Sequence, residues 1–130
     1  MGFHNLFDDW PDVRSLRGGE VVFAEGDTAD VMYFILDGEV ELRRHGEAMS
    51  VEGEGGVIGE TALLDGARHN GTAVARRDTR LARLDRAQLK DLTEDNAAFA
   101  LHVMARLASH LRAVDAYISA RLDANGGTRE

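Results

Sequence analysis

The feature that most constrains the fold is a change of texture near residue 85. From about Val13 to Asp85, short apolar runs are punctuated by glycine. From about Arg86 to Asp123 there is no glycine or proline, and alanine and leucine dominate. Glycine supports tight turns and weakens helices, whereas alanine and leucine favour helix. The pattern predicts a β-rich module over about 13–85, a helical region over about 86–123 and, from "ANGGTRE" at 124–130, a helix stop followed by a flexible tail. A chain of 130 residues is long enough for one core and short for two, so a single domain is expected.

Within the first part, "EVVFAEGD" and "VMYFILDGEVELRR" hold β-branched and aromatic residues bounded by Gly and Asp, the composition of strands. Val40 and Leu42 alternate with Glu39, Glu41 and Arg43, which gives one buried and one wet face. "RHGE" at 44–47 and "GEGG" at 53–56 read as turns, and "TAVARRDTRLARL" supplies two more strands around Asp78. Short strands with turns this close together predict a sandwich, barrel or jelly roll.

The helical part carries an apolar stripe: Ala97, Ala100, Met104, Leu107, Leu111, Val114 and Ile118 follow at alternating spacings of three and four. That is the seam of a coiled coil, and Met104, Leu107, Leu111, Val114 and Ile118 are predicted to form a homodimer interface. The alternative is that the helix packs this stripe on its own barrel. Phe99, Val103 and Leu92 lie partly off the stripe and offer a second face for docking on the barrel.

The formal charge is -8. An acidic surface disfavours DNA and anionic lipid as partners. Cysteine is absent, so neither a disulfide nor a thiolate metal site is available. No apolar run approaches the roughly 18 residues of a membrane span, and "MGFHNLFDDW" has neither a signal-peptide pattern nor, with Leu6 where Ser or Thr is wanted, a myristoylation motif. The expectation is a cytoplasmic protein. The histidines at 4, 45, 69, 102 and 110 form no metal-spaced pair, and His102 and His110 are expected at the surface. There is no nucleophile with a flanking base, no phosphate-binding P-loop and no His-x-His set of a metal-dependent jelly-roll enzyme. No enzyme activity, metal or cofactor is expected.

The most informative stretch is "GVIGETALLDGARHNGTAVA", residues 56–75. It reads as a strand end, a short helical turn and a return strand. Backbone N–H groups at the start of a helical turn attract anions, and Gly59 permits close approach to the backbone. Glu60 either accepts a hydrogen bond from a ligand or only complements the turn's dipole.

"GGEVVFAEGDTADVMYFILDGEVEL" followed by "GEGGVIGETALLDG" resembles the cyclic nucleotide-binding domain of catabolite-activator-type regulators, kinase regulatory subunits and gated channels. The resemblance runs from about Leu16 to Leu122 and includes Gly19, Gly26, Gly38, Gly55 and Gly59, the run Tyr33-Phe34-Ile35-Leu36 and the Gly-Glu-x-Ala-Leu-Leu turn. It implies a double-stranded β-helix, a jelly-roll barrel with flanking helices and a long C-terminal α-helix. It also implies a non-catalytic regulatory domain with cyclic AMP or cyclic GMP as ligand. No helix-turn-helix lies in these residues, so DNA binding by this chain is not expected.

By resemblance, the ligand sits at the turn of Gly59, Glu60, Thr61 and Ala62, with Glu60 on the ribose 2'-hydroxyl. Leu42, Met49 and Ile58 fall where apolar walls stand, although each also suits a plain barrel core. Val114 and Asp115 fall where some members touch the base. The family pairs the cyclic phosphate with an arginine, and there this chain departs: His69 takes that place, with Arg68 before it and Asn70 and Gly71 after it. Three readings stay open. A shifted loop brings Arg68 in, His69 does the work where it is protonated or donates, or nucleotide binding has been lost and the domain serves dimerisation and protein interaction.

Overall fold

The structure, a computed structural model, describes residues 3–126. Eight strands form two four-stranded antiparallel sheets. They are β1 (Val13–Leu16), β2 (Val21–Phe23), β3 (Met32–Asp37), β4 (Val40–Arg44), β5 (Glu47–Glu52), β6 (Val57–Ile58), β7 (Thr72–Ala75) and β8 (Thr79–Leu84). One sheet has the order β1-β8-β3-β6 and the other β2-β7-β4-β5, so that, apart from the β4–β5 hairpin, sequence neighbours alternate between sheets as in a jelly roll. The helices are α1 (Glu60–Asp65), α2 (Arg86–Asp95) and α3 (Ala97–Gly126), and a short 3-10 turn spans His4–Phe7.

The core has two compartments, and β3 serves both. Tyr33 and Ile35 join Leu16, Phe23, Val40, Ile58, Ala73 and Leu81 between the sheets. Met32, Phe34 and Leu36 point the other way, against Phe7, Val57, Leu63, Leu84, Leu89, Phe99 and Val103. Alternate side chains of a strand face opposite sides. A strand covered on both faces therefore reads as an unbroken apolar run, as "MYFIL" does. In the other sheet, β4 and β5 join through His45 and Gly46 at φ of +52° and +82°, the mirror-image two-residue turn that suits a twisted hairpin.

The helical region divides at Asn96. Asp85 caps α2 in a reciprocal box with Gln88: the Asp85 carboxylate accepts from the Gln88 amide at 2.8 Å and the Gln88 side chain accepts from the Asp85 amide at 2.9 Å. Asn96 then accepts from the Phe99 amide at 2.9 Å and opens α3. Phe99 is fully buried, edge-on to Phe3 at 5.4 Å, and anchors the helix at its start. The expected tail is helical as far as Gly126, and 127–130 lie outside the described residues.

The predicted apolar stripe of α3 is split between two faces. Leu107 packs against the outer core, and Val114 and Leu111 reach a cavity in the barrel. Met104, Leu111 and Ile118 are exposed, and Leu101 and Leu122 extend their row. The outward row thus keeps the heptad spacing but takes in Leu101 and Leu122, while Leu107 and Val114 turn inward. Phe99 and Val103 set this rotation, because both must face the core.

Gly38 tests the closure between β3 and β4. Its φ is +106°, and an added Cβ would lie 2.6 Å from the Thr79 Cα. Backbone that close cannot be relieved by a rotamer change. Gly38→Ala is expected to cost about 2–4 kcal/mol, from left-handed strain and overpacking together. The check is a lower urea midpoint with an unchanged slope.

Candidate functional site

The cavity lies at the open end of the barrel, under α3. Its walls come from Phe23 (β2), Leu42, Arg43 and Arg44 (β4), Met49 and Ser50 (β5), the Gly59–Ala62 turn, the 69–72 segment, and His110, Leu111, Ala113 and Val114 of α3. Its volume is about 100 Å³, below the roughly 300–1,000 Å³ of ordinary ligand pockets.

Gly59 shapes one end. It sits at φ +78° at the start of α1, where a Cβ would come within 3.2 Å of the His69 ring and 3.4 Å of Phe23. Those two rings stack at 3.7 Å between centroids, with 8° between planes. His69 is buried. Burial pushes its pKa below the ordinary value of 6.5, with Asp27 and Glu60 pulling the other way. At neutral pH the ring is uncharged, an aromatic wall rather than a cation.

Glu60 is 1% exposed. It does not simply cap a dipole: the carboxylate bonds His110 Nδ1, from α3. The other ring nitrogen, Nε2, lies 2.8 Å from Glu52 Oε2 at the end of β5. Arg106 Nη1, one turn earlier on α3, reaches Glu52 Oε1 at 3.4 Å. Burial works against a charged His110, but hydrogen bonds to Glu52 and Glu60 and the charges of both carboxylates outweigh it, raising the pKa to about 9. Two buried carboxylates are thus offset by an imidazolium and a guanidinium, the pairing that buried charge requires.

Most of the residues expected at the site meet around this cavity: Leu42, Met49, Gly59, Glu60, Thr61, Ala62, His69 and Asn70, with Val114 from α3. Two do not. Ile58 is fully buried between the sheets, since the alternation of β6 turns it into the core. Arg68 stays outside: its backbone bridges Thr28 and its Nη1 donates to the Gly26 carbonyl at 3.0 Å. That bridge fixes the loop register, so the guanidinium points away from the cavity. Asp115 is exposed.

The histidines of α3 are not surface residues. His102 pairs with the Gly55 carbonyl, and His110 is the hub described above. Nothing local in the sequence marks His110, because its partners lie 50 and 58 residues away. Arg43 and Arg44 were also not anticipated. They end β4, where the hairpin brings them to the cavity mouth, and Arg43 Nε pairs with Glu41 at 2.6 Å. Among the described residues, no helix is long and apolar enough to cross a membrane.

Comparison with known proteins agrees with this geometry. The family model of the cyclic nucleotide-binding domain matches residues 13–96. Lysophospholipase NTE1 of Chaetomium globosum is 31% identical over 112 residues, 82% of this chain and 7% of that protein. The catabolite activator protein of Thermus thermophilus is 31% identical with a TM-score of 0.69, over 83% of this chain and 53% of that one. The cAMP-bound PfPKA-R shares the fold at 20% identity and a TM-score of 0.70, over 82% of this chain and 36% of that one. The chain therefore spans a small part of the lysophospholipase and about half of the activator. With a jelly roll closed by a long helix over a buried glutamate, and with the family match covering most of its length, the chain belongs to the cyclic nucleotide-binding domain family.

Proposed function

We propose that this domain is a non-catalytic sensor that holds a cyclic nucleotide, cyclic AMP or cyclic GMP, in the cavity at the Gly59–Glu60 turn. The observation that carries the reading is Glu60: a buried carboxylate behind a left-handed glycine, facing a cavity walled by Leu42, Met49 and Val114. A carboxylate in that position accepts from a ribose 2'-hydroxyl. The phosphate partner proposed here is neither of the two candidates, Arg68 and His69, left open by the sequence. His69 is uncharged and stacked, and Arg68 is outside, so the phosphate is assigned to Arg43 and Arg44 at the mouth. Arginine's planar fork suits phosphate oxygens. Binding acts as a signal by shifting the population of α3 positions. The domain is a single unit, works in the cytoplasm, needs no metal or cofactor, and binds neither DNA nor membrane by itself.

A second reading has its own support. The small cavity and the missing arginine at position 69 suit a domain that has lost the nucleotide and serves as an interaction module. In both readings, the exposed row Leu101, Met104, Leu111, Ile118 and Leu122 packs against a second copy of the chain, because its heptad spacing matches a two-helix seam.

Titration calorimetry separates the readings. Both cyclic nucleotides should be tried, and the 2'-deoxy form of whichever binds should be about 10- to 100-fold weaker, the worth of one charge-assisted hydrogen bond. Arg68→Ala should bind as the wild type does, whereas Arg43→Ala or Arg44→Ala should bind at least about tenfold more weakly. No binding at millimolar ligand would favour the interaction module. Separately, sedimentation of the wild type should give twice the 14.2 kDa chain mass, and Ile118→Glu should shift it towards monomer. A monomeric wild type would remove the helix seam.

A further inference from the structure

We propose that His110 is a clamp: as an imidazolium held between Glu52 and Glu60, it keeps α3 closed over the cavity and competes with a ligand hydroxyl for the Glu60 carboxylate. The ligand half of this proposal rests on the nucleotide reading above. The clamp itself does not.

The geometry demands the charged ring. Each ring nitrogen of His110 faces a carboxylate oxygen, one from β5 and one from α1. Neutral imidazole has one N–H and one lone pair. With a neutral ring and both carboxylates ionised, one carboxylate would meet a lone pair with no proton between them. Closing α3 therefore binds a proton whenever the free histidine is neutral. The pair of bonds also ties α3 to two separate elements at once, so α3 cannot lift without breaking both. The cavity beneath, at about 100 Å³, is smaller than the roughly 300–1,000 Å³ of ordinary ligand pockets. A ligand of nucleotide size enters only if α3 moves, and a sugar hydroxyl reaches Glu60 only where His110 gives it up.

The other charged groups around the clamp leave this balance intact. Arg106 shares Glu52 from α3 itself. Arg43 and Arg44 of β4 and the uncharged His69 line the same cavity. The sign of the pH dependence follows. Open, the imidazole titrates near 6.5, and closed it titrates at about 9. The clamp is at full strength below about pH 6.5 and is lost as pH rises through about 9. Between those values, closure should weaken about tenfold per pH unit, the slope of one proton.

Three readouts test this on the full chain. The first, on ligand-free protein, is nitrogen-15 NMR of the histidine rings. At pH 8 both nitrogens of His110 should be protonated, and Glu52→Gln should lower its pKa. A neutral His110 at pH 8 would overturn the clamp. The second uses the absence of native cysteine. Spin labels on Ala48→Cys and Ala116→Cys, diluted with unlabelled protein, report the distance from β5 to α3. It should lengthen between pH 6 and pH 10, and in His110→Gln it should be long at every pH. An unchanged distance in the wild type across that range would overturn the clamp even if His110→Gln proves unstable. The third is titration with cyclic AMP and cyclic GMP at pH 7.5, where His110→Gln should bind at least about tenfold more tightly. Equal or weaker binding by His110→Gln would overturn the competition. Binding by neither protein would overturn the nucleotide reading, with the clamp then decided by the first two readouts.

Discussion

The double-sided burial of β3 is the constraint on which the rest of the molecule depends. Its alternate side chains fill both the space between the sheets and the space under the helices. A shift of one residue would exchange every contact in both compartments. The same strand pairs β6 at Tyr33–Ile58 and Phe34–Val57, which places Gly59 and Glu60 just past the sheet edge. The outer compartment receives Phe99 and Val103, which fix where α3 begins its path across the barrel. The register of one strand therefore positions both sides of the cavity.

Charge then decides what the cavity can be. A glutamate 1% exposed and another 5% exposed would each be costly without partners. α3 supplies both compensating cations, on one face and one turn apart, so that docking of the helix and neutralisation of the barrel's acids are one event. The same burial has the opposite result at His69. No carboxylate bonds its ring, and it stays uncharged against Phe23. Two histidines in one cavity thus have different electrostatic roles, set by whether a carboxylate oxygen lies within reach.

The fold was legible because its signals are local. Turns at "RHGE" and "GEGG", the apolar run of β3 and the loss of glycine beyond residue 85 each follow from near neighbours in the chain. The cavity turn was legible for the same reason: Gly59 to Ala62 is one contiguous motif. Three matters were not legible. Ile58 and Leu42 are both apolar strand residues, and only the sheet alternation tells core from cavity wall. The reach of Arg68 depends on a single bridge to Thr28. His110 finds its partners through helix docking, and spacing of three and four along α3 describes the helix without saying which way it is turned. Heptad periodicity located the apolar surface, but Phe99 and Val103 chose the rotation, and so moved Leu107 and Val114 inward.

That rotation gives α3 two connected faces. Its inner face carries Arg106, His110 and Val114, which meet the barrel, and its outer face carries Met104, Leu111 and Ile118, which are exposed. Leu111 belongs to both, lining the cavity mouth while remaining 61% exposed. A helix is rigid over these few turns, so a tilt that frees His110 must also move the outer row. If the outer row holds a second copy, the free energy that separates the clamped and unclamped positions of α3 is felt at that interface. The two chains then share the cost of opening. Coupling of this kind needs no relay of side chains, only one stiff element with a contact on each face and two resting positions. A small domain has few other ways to pass a change in an interior cavity to its surface, since protein interiors are close-packed and β3 holds its register from both sides.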